Sequence, residues 1–237
     1  MTIHSEIAHN KWKTTFIFAL FIALFSGFFF IVGQFYDAPW GYALVGLVIA
    51  TFSTVGSYFF SDKLVLATTR ARPATKEEFF DFYTVTENLS IAAGLPMPKL
   101  YVIDDPSPNA FATGRDYSHG VVCATTGLLS SLERAEIEGV VAHELSHIKN
   151  YDMLVMTITA VLVGTLSLVA DMIMRTLWWG GDSRERKNTH PALFVLLLVA
   201  LIITPIVAML IQLAVSRRRE YLADASAALL TRYPEGL

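Results

Sequence analysis

The chain has 237 residues, 54% of them hydrophobic and 16% charged, with a formal net charge of −3 and a mean hydropathy of +0.48. That is too apolar for an ordinary soluble protein and places the chain in a lipid bilayer, while the mildly acidic balance and the lack of a Gly-rich phosphate loop make nucleic acid an unexpected partner. The lone cysteine, Cys123, cannot form an internal disulfide, in keeping with a reducing compartment, and its setting reads as a buried strand.

Residues 14–36 and 38–61 are two uncharged stretches separated by a short turn around Asp37, each long enough to cross about 30 Å of hydrocarbon. They predict a helical hairpin. The first exceeds a signal-peptide core and has no small-residue cleavage site, so it is read as retained. Lys11 and Lys13 precede the hairpin and Lys63, Arg70, Arg72 and Lys76 follow it, which places both flanks in the cytoplasm.

Next, Thr75-Lys76-Glu77-Glu78 forms a capping box that opens a helix bearing Phe79, Phe82, Tyr83 and Leu89 and ending near Gly94. Residues 99–103 and 120–126 are rich in strand formers and predict a small antiparallel sheet. Asn109, Ala110, Phe111, Ala112, Thr113 and Gly114 lie between them. This segment is either an exposed edge that holds a polypeptide by its backbone or a plain hairpin that stabilises the sheet; the residues alone leave both open.

A second capping box, with Ser130 at the N-cap and Glu133 three residues on, predicts the start of another helix. Ile137, Val141, Leu145 and Ile148 form its buried stripe, and Val140, His143, Glu144 and His147 share the adjoining face. Residues 143–147 read His-Glu-Leu-Ser-His. On a helix the two histidines stand about 6 Å apart along the axis on one face, so one tetrahedral ion bridges them. Glu144 is placed to take a proton from a water on that ion, which is a zinc-hydrolase signature.

A catalytic zinc needs a third protein ligand. The extended metzincin pattern fails, because Asn150 and Met153 stand where Gly and His are required. Downstream candidates are Asp152, Asp171, Asp182, Glu185, His190, Glu220, Asp224 and Glu235. Asp152 is too near along the chain to reach the ion, and Asp182 and Glu185 sit in a charged loop. Glu220 and Asp224 make the best pair, i and i+4 on one helix face: one to ligate, the other to accept the free N–H of a ligating histidine. Two further apolar stretches, 153–174 and 191–215, predict a second hairpin that leaves the first motif and returns at the second, either spanning the bilayer or packing partly on the soluble domain. Asp171 within it must face protein, water or the interface. His4, His9, His119 and His190 read as surface residues.

In the stretches 143–147, 148–152, 109–114 and 216–224 the chain resembles the HtpX-type membrane zinc metalloproteases, in the wider group that includes the CAAX prenyl proteases. The resemblance implies one zinc per chain on His143, His147 and Glu220, with Glu144 as general base and Asp224 as the partner of a ligating histidine. It favours Asn109 to Gly114 as the substrate edge. The expected fold is a mainly α membrane protein, four hydrophobic helices in two hairpins plus a cytoplasmic zincin-like α+β catalytic domain. The expected segments are 1–62, 63–152, 153–215 and 216–237.

The function this implies is a zinc endopeptidase of the bacterial inner membrane that cleaves membrane or misfolded proteins. Members of the family continue past the second motif, so a chain ending at Leu237 reads as truncated, without any transition-state stabiliser from that part. A CAAX-type prenyl-protein protease is the alternative enzyme, set apart by more membrane helices. A non-catalytic zinc-binding adaptor is the alternative outside catalysis, and the single cysteine together with Glu144 speaks against it.

Overall fold

The computed structural model describes residues 3–34, 36–179, 208–211 and 217–233. These fall into two compact units, one within Met1–Thr14, Tyr58–Thr157 and Ser216–Leu237, the other within Thr15–Ser57 and Ile158–Val215.

Helix α1 (Ile3–Gln34) and helix α2 (Pro39–Thr68) are long and apolar enough to cross a membrane, as the two uncharged stretches predict. Between them Asp37 takes a left-handed conformation, φ 53°, and Pro39 opens α2, where its missing N–H costs nothing. Gly46 of α2 lets the helices approach: a Cβ there would lie 2.7 Å from the Cβ of Phe29. Leu44, Val48, Phe52 and Val55 remain exposed, the surface composition that acyl chains require.

The other unit is built on four short strands: β1 (Arg72–Pro73), β2 (Lys99–Ile103), β3 (Ala110–Thr113) and β4 (Val121–Thr125), in the order β1-β2-β4-β3. The sheet is small, as expected, but mixed rather than antiparallel. β1 pairs antiparallel with β2 and β3 with β4, whereas β2 and β4 run parallel. The chain lays down edge strand β3 first and then inserts β4 between β3 and β2, which leaves β4 running in the direction of β2. All five β4 residues are buried, matching the continuous apolar run expected of a strand covered on both faces. Burial pushes the Cys123 thiol up to about 12, so it is inert at neutral pH.

Helix α3 (Phe80–Ala93) ends at Gly94 as predicted. It starts later than the Thr75–Glu78 box predicts, after Phe79, which makes no side-chain cap bond, and the box forms a turn ahead of it and only in half. Glu78 N–H donates to Thr75 Oγ1 at 3.3 Å, but the Glu78 carboxylate is taken by Arg72 at 2.6 Å. Phe82, Val85 and Leu89 of α3 pack with Leu100, Val102, Val122 and the Ile137, Val141, Leu145, Ile148 stripe to form the core. Each such side chain contributes about 1.5–3 kcal/mol on burial.

The metal-motif helix starts later than Ser130. Thr125 caps a separate short helix, α4 (Thr126–Ser131), in which Ser130 Oγ donates to Gly127 O at 3.1 Å. The chain turns extended at Leu132, ψ 144°, and α5 (Arg134–Asn150) begins from Glu133, whose N–H donates to Glu136 Oε2 at 2.8 Å. The end of β4 delivers Thr125 as a cap first, and that uses up the serines.

At the other end of α5, Tyr151 adopts φ 60° and the chain turns by 84° into α6 (Asp152–Trp179). The stretch 153–174 lies in α6, where Asp171 pairs with Arg175 at 2.7 Å. Counting α5 and α6 as one broken span would raise the membrane-crossing candidates among the described residues from two to three. Residues 191–215 and the loop before them lie outside the described residues except for 208–211, which are helical. The last helix is α7 (Arg217–Thr231).

Candidate metal centre

His143 and His147 stand on α5 with their Nε2 atoms 3.1 Å apart. Glu220 of α7 brings Oε2 to 3.5 Å from the first and 3.6 Å from the second. Ala223 and Ala227, both fully buried, are the small residues that let α7 lie close to its neighbours. A tetrahedral ion with bonds of about 2.0–2.1 Å separates its donors by roughly 3.3–3.4 Å. The triangle of two imidazole nitrogens and one carboxylate oxygen has the size and the donor chemistry for zinc.

The other ring nitrogens explain why these lone pairs converge. His143 Nδ1 donates to Asp224 Oδ1 at 2.8 Å and His147 Nδ1 to Asp152 Oδ2 at 3.2 Å. An ionised carboxylate only accepts, so each Nδ1 carries the proton and each Nε2 keeps its lone pair. Asp152 is 1% exposed, and its Oδ1 accepts from Asn10 Nδ2 at 2.8 Å, with Arg219 Nε at 3.9 Å. Burial pulls the His147 imidazole down, but the Asp152 hydrogen bond and the charges of Glu144, Asp152 and Glu220 outweigh it and hold its pKa above the ordinary value. Burial also lowers the Arg219 guanidinium, against the pull of Asp152 and Glu220.

Glu144 is buried beside this cluster. Burial pushes its carboxyl up; the two imidazoles and a hydrogen bond from the Ala112 backbone pull it back, Glu220 pushes it further, and the net direction is upward. A raised carboxyl is a better proton acceptor at neutral pH than an ordinary glutamate.

β3 is an edge strand of the sheet, as β1 is on the other side. At its start Thr125 N–H donates to Asn109 O and Asn109 N–H to Thr125 Oγ1, each at 2.9 Å. Antiparallel alternation then turns Phe111 and Thr113 towards β4 and leaves the N–H and C=O groups of Ala110 and Ala112 pointing away from it. The Ala112 backbone is among the groups that pull the Glu144 carboxyl down. Gly114 closes the segment at φ 133°, where a Cβ would lie 2.3 Å from His119 O.

The structure therefore brings His143, Glu144, His147, Glu220, Asp224 and Ala112 together. Asn109, Ala110 and Phe111 continue the edge, and Thr113 and Gly114 end it. His119 is half exposed and bonded to Asp116. His190, Asp182, Glu185 and Glu235 lie outside the described residues. Asp152 is absent from the donor triangle, as its chain position implies, yet it is the partner of His147, which the sequence reading missed. Its signal was the position just after the helix, visible only once Tyr151 is known to turn the chain. Asn10 and Arg219 gave no signal of their own.

A His-Glu-x-x-His helix, a returning carboxylate and a buried acid between the donors and a sheet edge define a metallopeptidase. The profile of peptidase family M48 matches residues 77–236, and the chain belongs to that family. It is 46% identical over 235 residues to the "Protease HtpX homolog" of Tropheryma whipplei (strain Twist), covering 99% of this chain and 79% of that protein. The protein of the same name from Dictyoglomus thermophilum is 47% identical over 237 residues, 100% of this chain and 77% of its own length. The crystal structure of S. mikatae Ste24p shares the fold, with a TM-score of 0.50 and 22% identity over 92% of this chain and 56% of that one. With its apolar helices, the chain is an integral membrane metallopeptidase that uses zinc.

Proposed function

We propose that this chain is a zinc endopeptidase that cuts membrane-inserted or misfolded polypeptides at the cytoplasmic face of a bacterial inner membrane, a quality-control role. The observation that carries the reading is the convergence of His143 Nε2, His147 Nε2 and Glu220 Oε2 beside buried Glu144. In this reading those three residues hold the ion, and Asp224 and Asp152 fix the imidazole tautomers. When bound, zinc supplies Lewis acidity for water and for the scissile carbonyl. Glu144 takes the proton of the attacking water on its carboxylate and passes it to the leaving amine. The outward backbone groups of Ala110 and Ala112 pair with an extended substrate, so Asn109 to Gly114 bind it with little regard for sequence.

The relatives named HtpX support this reading, and the basic residues flanking the α1–α2 hairpin support the cytoplasmic orientation. The organisation proposed with it is a membrane hairpin (1–62), a catalytic segment (63–152), a second apolar hairpin (153–215) and the segment carrying Glu220 (216–237).

The test is cleavage of a denatured or membrane-inserted reporter alongside zinc content. Glu144→Gln should abolish cleavage with zinc content near that of the parent, Glu220→Ala should lose zinc, and a chelator should stop the parent. Unchanged turnover in Glu144→Gln removes that residue from the mechanism, and unchanged zinc affinity in Glu220→Ala assigns the third ligand elsewhere.

A further inference from the structure

We propose that Asn10, early in α1, is a positioning residue for the metal centre and acts through Asp152. Asn10 is 2% exposed, and its side-chain hydrogen bonds go to Asn150 and Asp152 and not to the three donor residues. Its amide nitrogen donates one N–H to Asn150 O at 2.9 Å and the other to Asp152 Oδ1 at 2.8 Å. Both partners only accept, so the orientation of the amide is fixed by chemistry. The two acceptors lie on either side of the Tyr151 corner, one on the last residue of α5 and one on the first residue of α6. A single NH2 group thus pins the corner across which Asp152 reaches back to His147.

The consequence runs outward one bond at a time. Asp152 Oδ2 receives His147 Nδ1, so the plane of that carboxylate sets the tilt of the imidazole and the aim of its Nε2. Oδ1 is held in that plane by Asn10; Arg219 Nε, at 3.9 Å, is beyond hydrogen-bonding distance of it. Removing the amide frees the carboxylate to rotate while leaving every ligand in place. The helix that enters the first apolar span thereby becomes part of the metal site, although 142 residues separate the two bonded side chains in sequence.

The proposal rests on the ligand set of the previous section. Its test is the zinc dissociation constant of the full chain in detergent, stripped of metal and titrated against a chromophoric chelator. Asn10→Ala should bind zinc about tenfold more weakly. Asn10→Asp, which turns an acceptor towards Asp152, should bind more weakly still. Thr14→Val should bind as the parent does, since Thr14 is equally buried on α1 and donates only to Asn10 O. In an Asp152→Ala background, Asn10→Ala should add less than about a twofold change.

A full tenfold loss in that background, or an equal loss in Thr14→Val, makes Asn10 a packing residue and overturns the proposal. Parent-like affinity in Asn10→Ala or Asn10→Asp beside a clear loss in His147→Ala also overturns it and leaves the ligand set standing. Parent-like affinity in His147→Ala removes the ligand set and the proposal with it.

Discussion

Asp152 and Asp224 make the same kind of contact, a carboxylate accepting an Nδ1 proton, and the structure predicts that neutralising them costs very different amounts. Replacing such a partner weakens metal binding by about 10- to 100-fold, or about 1.4–2.8 kcal/mol. Bond length alone ranks Asp224 first, at 2.8 Å against 3.2 Å. Burial ranks them the other way. The Asp224 side chain is 53% exposed, so water screens its charge and replaces it as an acceptor, and Asp224→Asn should fall near the tenfold end. Asp152 is 1% exposed with both oxygens committed, so nothing substitutes for the lost charge, and Asp152→Asn should fall near the hundredfold end. Burial decides, because a charge-assisted bond gains most where water is excluded. The assay is chelator competition for zinc on both variants at one pH. An Asp224→Asn loss equal to or larger than that of Asp152→Asn refutes the reasoning.

Ala112→Pro deletes an outward N–H of the β3 edge and should cut cleavage about tenfold or more while zinc affinity stays with the parent, as measured by reporter turnover and chelator titration. Leu145, 1% exposed at the centre of α5, should cost about 2–5 kcal/mol as Leu145→Ala, read as a lower unfolding midpoint in denaturant. Asp116 accepts from Ser118 N–H, His119 N–H and His119 Nδ1; burial pushes its carboxyl up, but those bonds prevail and hold it below the ordinary value. A depressed folded pKa gives stability that is present above the unfolded value, near 3.8, and lost as pH falls through the folded one. Thermal scans should therefore show a shallower acid limb below about pH 4 in Asp116→Asn, at a cost of about 1 kcal/mol at neutral pH.

Spacing carried what was legible in the sequence. A four-residue interval on a helix places side chains on one face whatever the surroundings, so the pairing of His143 with His147 and of Glu220 with Asp224 could be read from the chain. Uncharged length likewise announced α1 and α2. What could not be read depended on backbone direction. The start of α5 moved from Ser130 to Glu133 because β4 ends on a threonine able to cap a helix of its own. The parallel pairing of β2 with β4 depends on an insertion order that strand propensities do not record. The contact of Asp152 with His147 exists because a tyrosine, not a glycine, takes the left-handed corner. Lys11 sits over that ring at 4.7 Å and Tyr117 meets it edge-on at 5.9 Å, partners that the local sequence does not reveal.

The acids gathered around His143 and His147 also bear on the stability of the fold. Glu144, Asp152, Glu220 and Asp224 set as many as four negative charges about two imidazoles, with Arg219 against them, and they repel one another unless a cation shares the space. Folding is thus linked to the divalent supply: free ion at a hundred times its dissociation constant adds about 2.7 kcal/mol. Without the ion that increment is absent, and the contact of α7 with α5, where Glu220 closes onto the two imidazoles, is the one it would have strengthened.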